Sequence, residues 1–335
     1  MKNLLLVLLV FAAAGCESLS YYSQAIRGQL GLMSAARPLE SWLADPATPA
    51  ELRGRLQAAL GIREFASRRL ALPQNGSYSS YADLGRPYVV WNVFAAPRFA
   101  VEPKQECFPF TGCVSYRGFF SEEAARRQAA RLREQGYDVY LGGVPAYSTL
   151  GWFDDPLLST FIQYPDVQLA RLMFHELAHQ RVYVKGDTTF NESFAVTVEE
   201  EGVKRWLEAL GRSGELEAMR ASRLRRQEFA LRVAQTRERL AEAFQEQVPE
   251  EKMLVRKAEE WEKLRRDYPT IVPAEPNNAY LVSIALYTQL VPEFERLLAS
   301  CGSDLGEFYD RVEALTASRR DARAALTSAG CRRPS

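Results

Sequence analysis

The sequence predicts a helix-rich α+β fold in which a small mixed sheet packs on a helix carrying both of the chain's histidines, with a helical hairpin and a C-terminal helical part completing it. Two segments, YVVWNVFAAPRFAV and CVSYRGFF, concentrate aromatic and β-branched residues as strands do. SEEAARRQAARLREQG and YPDVQLARLMFHELAHQRVYVKGD instead keep a helical stripe of apolar positions. A third observation is the run of interleaved charges after Gly202, helix-favouring and broken at Pro249. With 335 residues, 47% of them hydrophobic, the chain can bury a sizeable core in one or two domains. Its 42 Lys and Arg balance 42 Asp and Glu, which argues against a nucleic-acid partner.

Residues 1–15 stand apart from the fold. One Lys precedes an apolar run over residues 4–14, about half of the roughly 20 residues a spanning helix requires, and small residues lead on to Cys16. This is the pattern of a secretion signal. AAGC at residues 13–16 resembles a bacterial lipobox, whose cysteine is lipidated and becomes the first residue of the mature chain. An ordinary signal peptide cleaved near Ala14 is the alternative. Glu17 resembles the residue that follows the cysteine in lipoproteins sent to the outer membrane, so the expected address is the periplasmic face of that membrane, reached through the lipid on Cys16. Cys107, Cys113, Cys301 and Cys331 then remain, an even number in a compartment that permits disulfides. Proximity favours Cys107 with Cys113 and Cys301 with Cys331, although the other connectivities stay open. A zinc site made of these four is the rival, but their spacing resembles no zinc knuckle.

The elements follow in order. Between residues 21 and 72, helical periodicity punctuated by Pro38, Pro46 and Pro49 fits two or three helices, with Asp45 or Thr48 as a cap. The turn-rich PQNGSYSSYADLGRP leads into the two strands. From Ser121 a capped helix closes on Gly136, and DVYLGGVPAYSTLGWF resumes extended structure, making a strand, helix, strand unit. Pro165 opens the next helix, whose apolar stripe through Leu169, Leu172, Met173, Leu177 and Val184 runs until Gly186 ends it. FNESFAVTVEEEGVKRWLEALG is a second helical pattern. The charged run between about Gly202 and Asp267 reads as a long antiparallel hairpin with solvated outer faces, and the tail beyond Pro292 is helical up to Cys331.

The chain's two histidines, His175 and His179, fall four apart on the predicted helix in HELAH. Four residues advance about 6 Å and turn about 40°, so both imidazoles project from one face and can grip one small ion. Glu176, at the edge of that face, can hold a water by hydrogen bond without being a ligand itself. HExxH arises by accident on the order of once in two thousand chains of this composition. Two surface histidines with a glutamate between them is thus the weaker reading. A metal site needs a third protein ligand, no third histidine exists, and the thiols are expected to be oxidised, which leaves a carboxylate.

These residues carry two resemblances. NE near the start of a helix that follows an HExxH helix resembles the gluzincin arrangement, which makes Glu192 the ligand that completes the set with His175 and His179. The loop between them, KGDTTF, is short, so the two helices would have to form a tight hairpin. Glu199 and Glu200 are alternatives; Glu199 returns to the face of Glu192 and could instead accept the free ring N–H of a ligand histidine. The plain reading of Glu199, Glu200 and Glu201 is a solvated acidic run. The blocks YYSQAIRGQL, DLGRPYVVWNVFAAP, CVSYRGFF, YDVYLGGVPAYSTLGWFDDP, FHELAHQ, VKGDTTFNESFA and NNAYLVSIALYT are similar to those of the predicted aminopeptidase lipoprotein family of Gram-negative bacteria, a zinc-peptidase-like group. The resemblance spans nearly the whole mature chain and implies a zincin-like fold, a Zn²⁺ cofactor and peptide substrates. It carries His175, Glu176 and His179 over on the motif and Glu192 on FNESFA. No GxMEN-type block like that of well-studied zinc aminopeptidases is present, so the residue that would hold a substrate's free amino group is not evident.

Other groups would serve such a site. GGVPAYSTLGWF, about 30 residues upstream of His175, is a candidate edge strand for pairing with a substrate backbone. Asp154 and Asp155 could attract a substrate ammonium or simply make a turn. With no histidine left, an oxyanion donor must be Tyr, Arg or Asn; Tyr147, Tyr183, Tyr280 and Tyr287 are candidates, Tyr280 foremost, with core packing as the alternative for the last two. Asn191 is expected to cap the second helix. The organisation that results is 1–15 as lipoprotein signal peptide, 16–210 as zincin-like catalytic region, and 211–335 as the hairpin and helices completing a cleft. The expected function is a membrane-anchored zinc metallopeptidase, narrowly an aminopeptidase. A non-hydrolytic zinc-binding envelope assembly or chaperone-like lipoprotein and a cell-wall amidase are the alternatives.

Overall fold

The computed structural model describes residues 21–108, 112–146, 148–317 and 322–331. The expected signal peptide, Cys16 and Tyr147 lie outside them. Helix α1 covers residues 21–35, and α2 (Leu39–Ala44) and α3 (Ala50–Arg69) follow. Neither Asp45 nor Thr48 caps α3, which begins directly after Pro49. Asp45 Oδ1 accepts from the Ala47 N–H at 2.9 Å and the Thr48 hydroxyl donates to the Trp42 carbonyl at 2.7 Å, so both side chains are engaged in the turn before the helix.

Strand β3 (Val90–Pro97) runs antiparallel between β6 (Tyr116–Phe119) and β7 (Tyr137–Val144). The strand, helix, strand unit is β6, α4 (Glu122–Glu134) and β7, with β3 lying between the two strands it connects. Ser121 caps α4 by accepting from the Ala124 N–H at 3.3 Å. CVSYRGFF is not one strand. It breaks at Ser115 into β6 and β5 (Gly112–Val114), and β5 pairs with β4 (Glu106–Phe108) so that Cys107 lies opposite Cys113 and is bonded to it. A second small sheet joins β1 (Arg37–Pro38), β2 (Ser80–Ala82) and β8 (Leu157–Leu158), antiparallel then parallel. Because strand side chains alternate in direction, β3 has two different faces. Trp91, Val93 and Ala95 pack against Ala125, Ala129 and Leu132 of α4, while Phe94 and Ala96 meet the C-terminal helices described below.

The main core forms around α5 (Asp166–Arg181) and α6 (Thr188–Ala209), an antiparallel pair. Gly202 lets α6 sit close: a Cβ there would come within 2.8 Å of Leu70 and Phe174 side-chain carbons. Helix α5 ends at Arg181, earlier than its apolar stripe suggests. Val184 lies in the connecting loop, and Gly186, at φ +81°, turns that loop into α6 rather than ending α5. The charged run gives α7 (Ser213–Ala243) and α8 (Glu250–Asp267), antiparallel, with Arg239 on Glu260 and Arg256 on Glu246; Gly202 itself belongs to α6. Then come α9 (Asn278–Thr288), α10 (Val291–Ser300), α11 (Leu305–Ala317) and α12 (Ala322–Thr327). Cys301 is bonded to Cys331. Helix α9 lies on the second face of β3, where Ala279, Val282 and Leu286 cover Phe94 and Ala96. Asn278 pins it there, donating to the carbonyls of Arg98 and Ala100 at 3.1 and 2.9 Å.

Candidate active site

Helix α5 presents His175 and His179 one turn apart, and the loop of residues 182–187 brings α6 back alongside. Asp187 caps α6 through the Phe190 N–H at 2.9 Å. The predicted cap, Asn191, does something else: its Oδ1 accepts from the Val184 N–H at 2.7 Å and its Nδ2 donates to the Val184 carbonyl at 2.9 Å. This clamp closes the tight hairpin that a third ligand from α6 demands.

Glu192 follows, just past the first turn of α6. His175 Nε2 lies 3.1 Å from His179 Nε2 and 3.2 Å from Glu192 Oε2, and His179 Nε2 lies 3.6 Å from that same oxygen. These three side chains form a group that could hold a metal ion. A tetrahedral ion with bonds of about 2.0–2.1 Å holds its ligand atoms about 3.3 Å apart, so the spacing fits zinc. The donor chemistry agrees. A carboxylate only accepts, so Glu199 Oε2, 2.9 Å from His175 Nδ1, receives that ring's N–H and turns the Nε2 lone pair toward the group.

The electrostatics follow from burial. Desolvation acts to lower the pKa of His175, but its hydrogen bonds to Glu192 and Glu199 outweigh this and hold it well above the ordinary value. Burial pushes Glu192 upward, and the two histidines reverse this, drawing it down to about 2. Glu176 lines the same cavity; burial raises its pKa, with His175 and His179 acting against the shift. Among the described residues no side chain hydrogen-bonds its carboxylate, which leaves it free to handle a proton.

Glu199 and Glu200 are not on a solvated face. Both are buried, because α6 is packed on nearly every side. Arg171, one turn before His175, donates to Glu199 Oε1 at 2.9 Å and also to Glu200, which in turn accepts from Arg226 of α7. Glu201 is half-buried against Lys204 and Arg205. Arg171 escaped the sequence reading, although its i, i+4 spacing to His175 was a signal for it.

The tyrosines divide. Tyr287 lies near-parallel to the His175 ring with centroids 6.4 Å apart, and with Tyr183 and Tyr116 it lines the cavity. Tyr280 does not reach the site: its hydroxyl donates to the Ile271 carbonyl at 2.9 Å and its ring packs on Tyr140 and Trp261. Tyr116 was missed, although the alternation Val114, Tyr116, Gly118, Phe120 puts all four on the cavity side. Of GGVPAYSTLGWF only Gly142 to Val144 is strand; after Pro145 the chain leaves the sheet, and Ala146, Ser148 and Leu150 line the cavity from a loop. Asp155 faces inward, accepting from the Thr149 N–H at 3.0 Å and from Gln180 at 3.3 Å, and so ties this loop to α5.

The helix-rich α+β chain thus sets on one cavity a His, His, Glu group that could hold a metal ion and a glutamate that no side chain among the described residues hydrogen-bonds. The chain belongs to the family described as "Putative aminopeptidase", which matches residues 20–326. That family implies a peptidase-like hydrolase acting on peptides. No match is found among curated proteins or solved structures.

Proposed function

We propose that the protein is a zinc metallopeptidase with a zincin-like, gluzincin-type site, anchored through Cys16 at the periplasmic face of the outer membrane. The observation that carries the reading is the convergence of His175 Nε2, His179 Nε2 and Glu192 Oε2 within 3.1–3.6 Å, beside Glu176, which has no side-chain hydrogen bond among the described residues. Zn²⁺ held by these three residues would polarise the peptide carbonyl and acidify water. Glu176 takes the proton of the attacking water and returns it to the leaving amine nitrogen. Tyr287, against His175, is the best supported donor to the oxygen that gains charge as the carbonyl is attacked. Glu199 fixes the ring of His175.

Aminopeptidase action is the narrower reading and rests on the family. Among the described residues, Glu176 and Glu192 are the only carboxylates lining the cavity and both have roles in the proposed chemistry, so no separate carboxylate is at hand for a free α-ammonium. Glu176→Gln tests the reading: zinc content should stay near that of the wild type while peptide turnover falls by at least about a hundredfold. A variant that keeps its zinc and still complements a null strain would make the protein a non-hydrolytic envelope assembly factor. Turnover of wall fragments instead of peptides would make it an amidase.

A further inference from the structure

The face of β3 turned away from α4 is unevenly covered. Phe94 and Ala96 lie under α9, but Asn92 fronts the cavity that also holds His175, Glu176 and Glu192. Its cross-strand neighbours are Gly118 on β6 and Gly142 on β7. Residues paired across strands share a face, so no cross-strand partner sets a Cβ beside Asn92; on the β7 side the ring of Tyr140 lies over Gly142, and the Gly118 side opens to the cavity. The whole cavity, the metal-holding group included, has a volume of about 420 Å³. Asn92 is only 6% exposed, and among the described residues its amide has no hydrogen-bond partner. Neither amide atom is sealed from solvent, so the amide opens into the cavity, where a molecule from outside the chain can meet it; a ligand that covered it without a hydrogen bond would leave it unpaired at a cost of about 1–3 kcal/mol.

We propose that this bare patch of sheet is the subsite for the substrate side chain beside the scissile bond, and that it selects a large uncharged side chain with a hydrogen-bonding end, tyrosine or glutamine, held by the Asn92 amide. The proposal rests on the peptidase reading for the identity of its ligand. Size follows from Gly118: a Cβ there would lie 3.1 Å from Asn92 Oδ1 and 3.2 Å from Val90 Cγ1, so even alanine crowds the amide. Charge is excluded by desolvation. Among the described residues no Lys, Arg or Asp lines the cavity, and its two glutamates and two histidines belong to the metal-holding group and its proton carrier. Val90, Phe120 and Val144 supply apolar walls. The amide both donates and accepts, which suits a phenol or another amide.

The test uses the full-length, zinc-loaded protein and peptides that differ only in the residue flanking the scissile bond, with kcat/KM as readout. Tyrosine should exceed phenylalanine by about tenfold, the worth of one good hydrogen bond, and lysine and glutamate should be the poorest substrates. Asn92→Leu and Asn92→Ser should each bring the tyrosine-to-phenylalanine ratio to about one, and Gly118→Ala should lower the ratio of tyrosine to alanine substrates. The same peptides titrated by calorimetry onto Glu176→Gln, with and without Asn92→Leu, read the selectivity as Kd without turnover. Selective binding lost with Asn92→Leu, yet no cleavage by the wild type, upholds the subsite and refutes the peptidase reading. Cleavage with a ratio that neither Asn92 variant alters, or lysine and glutamate peptides bound as well as tyrosine ones, overturns the subsite and leaves the peptidase reading standing.

Discussion

His175 Nδ1 and Glu199 Oε2 stand 2.9 Å apart, and the direction of that hydrogen bond determines which lone pair His175 offers to an ion. Protons and metal compete for the same Nε2, and the carboxylate tips the ring toward the site in either case. Glu199→Gln keeps the shape and weakens the acceptor, so the zinc Kd read by competition with a chromophoric chelator should rise about tenfold. An unchanged Kd would remove Glu199 from the site. His179 has no such helper: its Nδ1 is buried and unpartnered among the described residues. Tyr287 can be separated from its neighbours by rate alone. Tyr287→Phe should lower kcat about a hundredfold with KM little changed, as expected of a donor engaged only in the transition state. Tyr280→Phe should leave kcat within about twofold, because its hydroxyl is used on the Ile271 carbonyl.

Helix α6 carries glutamates on a buried surface, which is stable only where each finds a cation. Glu200 is 5% exposed and bridges Arg171 of α5 and Arg226 of α7, so a single carboxylate joins the histidine helix to the hairpin. Burial raises its pKa, but the two guanidinium groups prevail and hold it below the ordinary 4.5. A carboxylate whose folded pKa lies below its unfolded one contributes stability above the unfolded value and loses it as the pH falls through the folded value. Glu200→Gln should therefore cost about 1–2 kcal/mol at neutral pH, and the difference from wild type should shrink as the pH is lowered from 4.5, the ordinary glutamate value. Denaturant titrations at several pH values would check this; a pH-independent difference would mean that Glu200 acts by packing rather than by charge.

The cavity is assembled from distant parts of the chain: β3 and β6 form one wall, α5 and α6 another, and Tyr287 of α9 comes from the far side of the hairpin. The hairpin is held to this assembly by Lys257 of α8, which donates to Asp138 on β7 at 2.5 Å, while the same Asp138 oxygen accepts the Asn278 N–H at 2.8 Å at the start of α9. Helices α7 and α8 thus hold α9 in place over the sheet as well as presenting charge to solvent. No helix among the described residues is long and apolar enough to cross a membrane. In the proposed reading, attachment falls to the lipid on Cys16. Cys16→Ser should move the protein from the membrane fraction to the soluble periplasmic fraction with the zinc content per chain unchanged, and retention in the membrane fraction would argue for another anchor.

Helix periodicity and motif spacing are local properties, and they made α4, α5, α6 and the α7–α8 hairpin legible before any packing was known. The i, i+4 spacing alone puts His175 and His179 on one face, because it follows from the helical repeat and needs no distant contact. Glu192 was within reach because a loop of six residues leaves α6 little choice but to return beside α5. The rest required the packed molecule. Tyr280 and Tyr287 share a helical face but stand about 10 Å apart along α9, and only the way α9 lies on the sheet decides which one meets His175. Glu200 reads as solvated in sequence and is buried because α6 is enclosed by its neighbours, a long-range fact that no local pattern carries. Asn92 looks like one polar residue in an apolar strand until the register sets Gly118 and Gly142 on either side of it. Local chemistry thus identified the histidines and their glutamate, while contacts between segments far apart in the chain selected the tyrosine, the buried carboxylates and the amide that surround them.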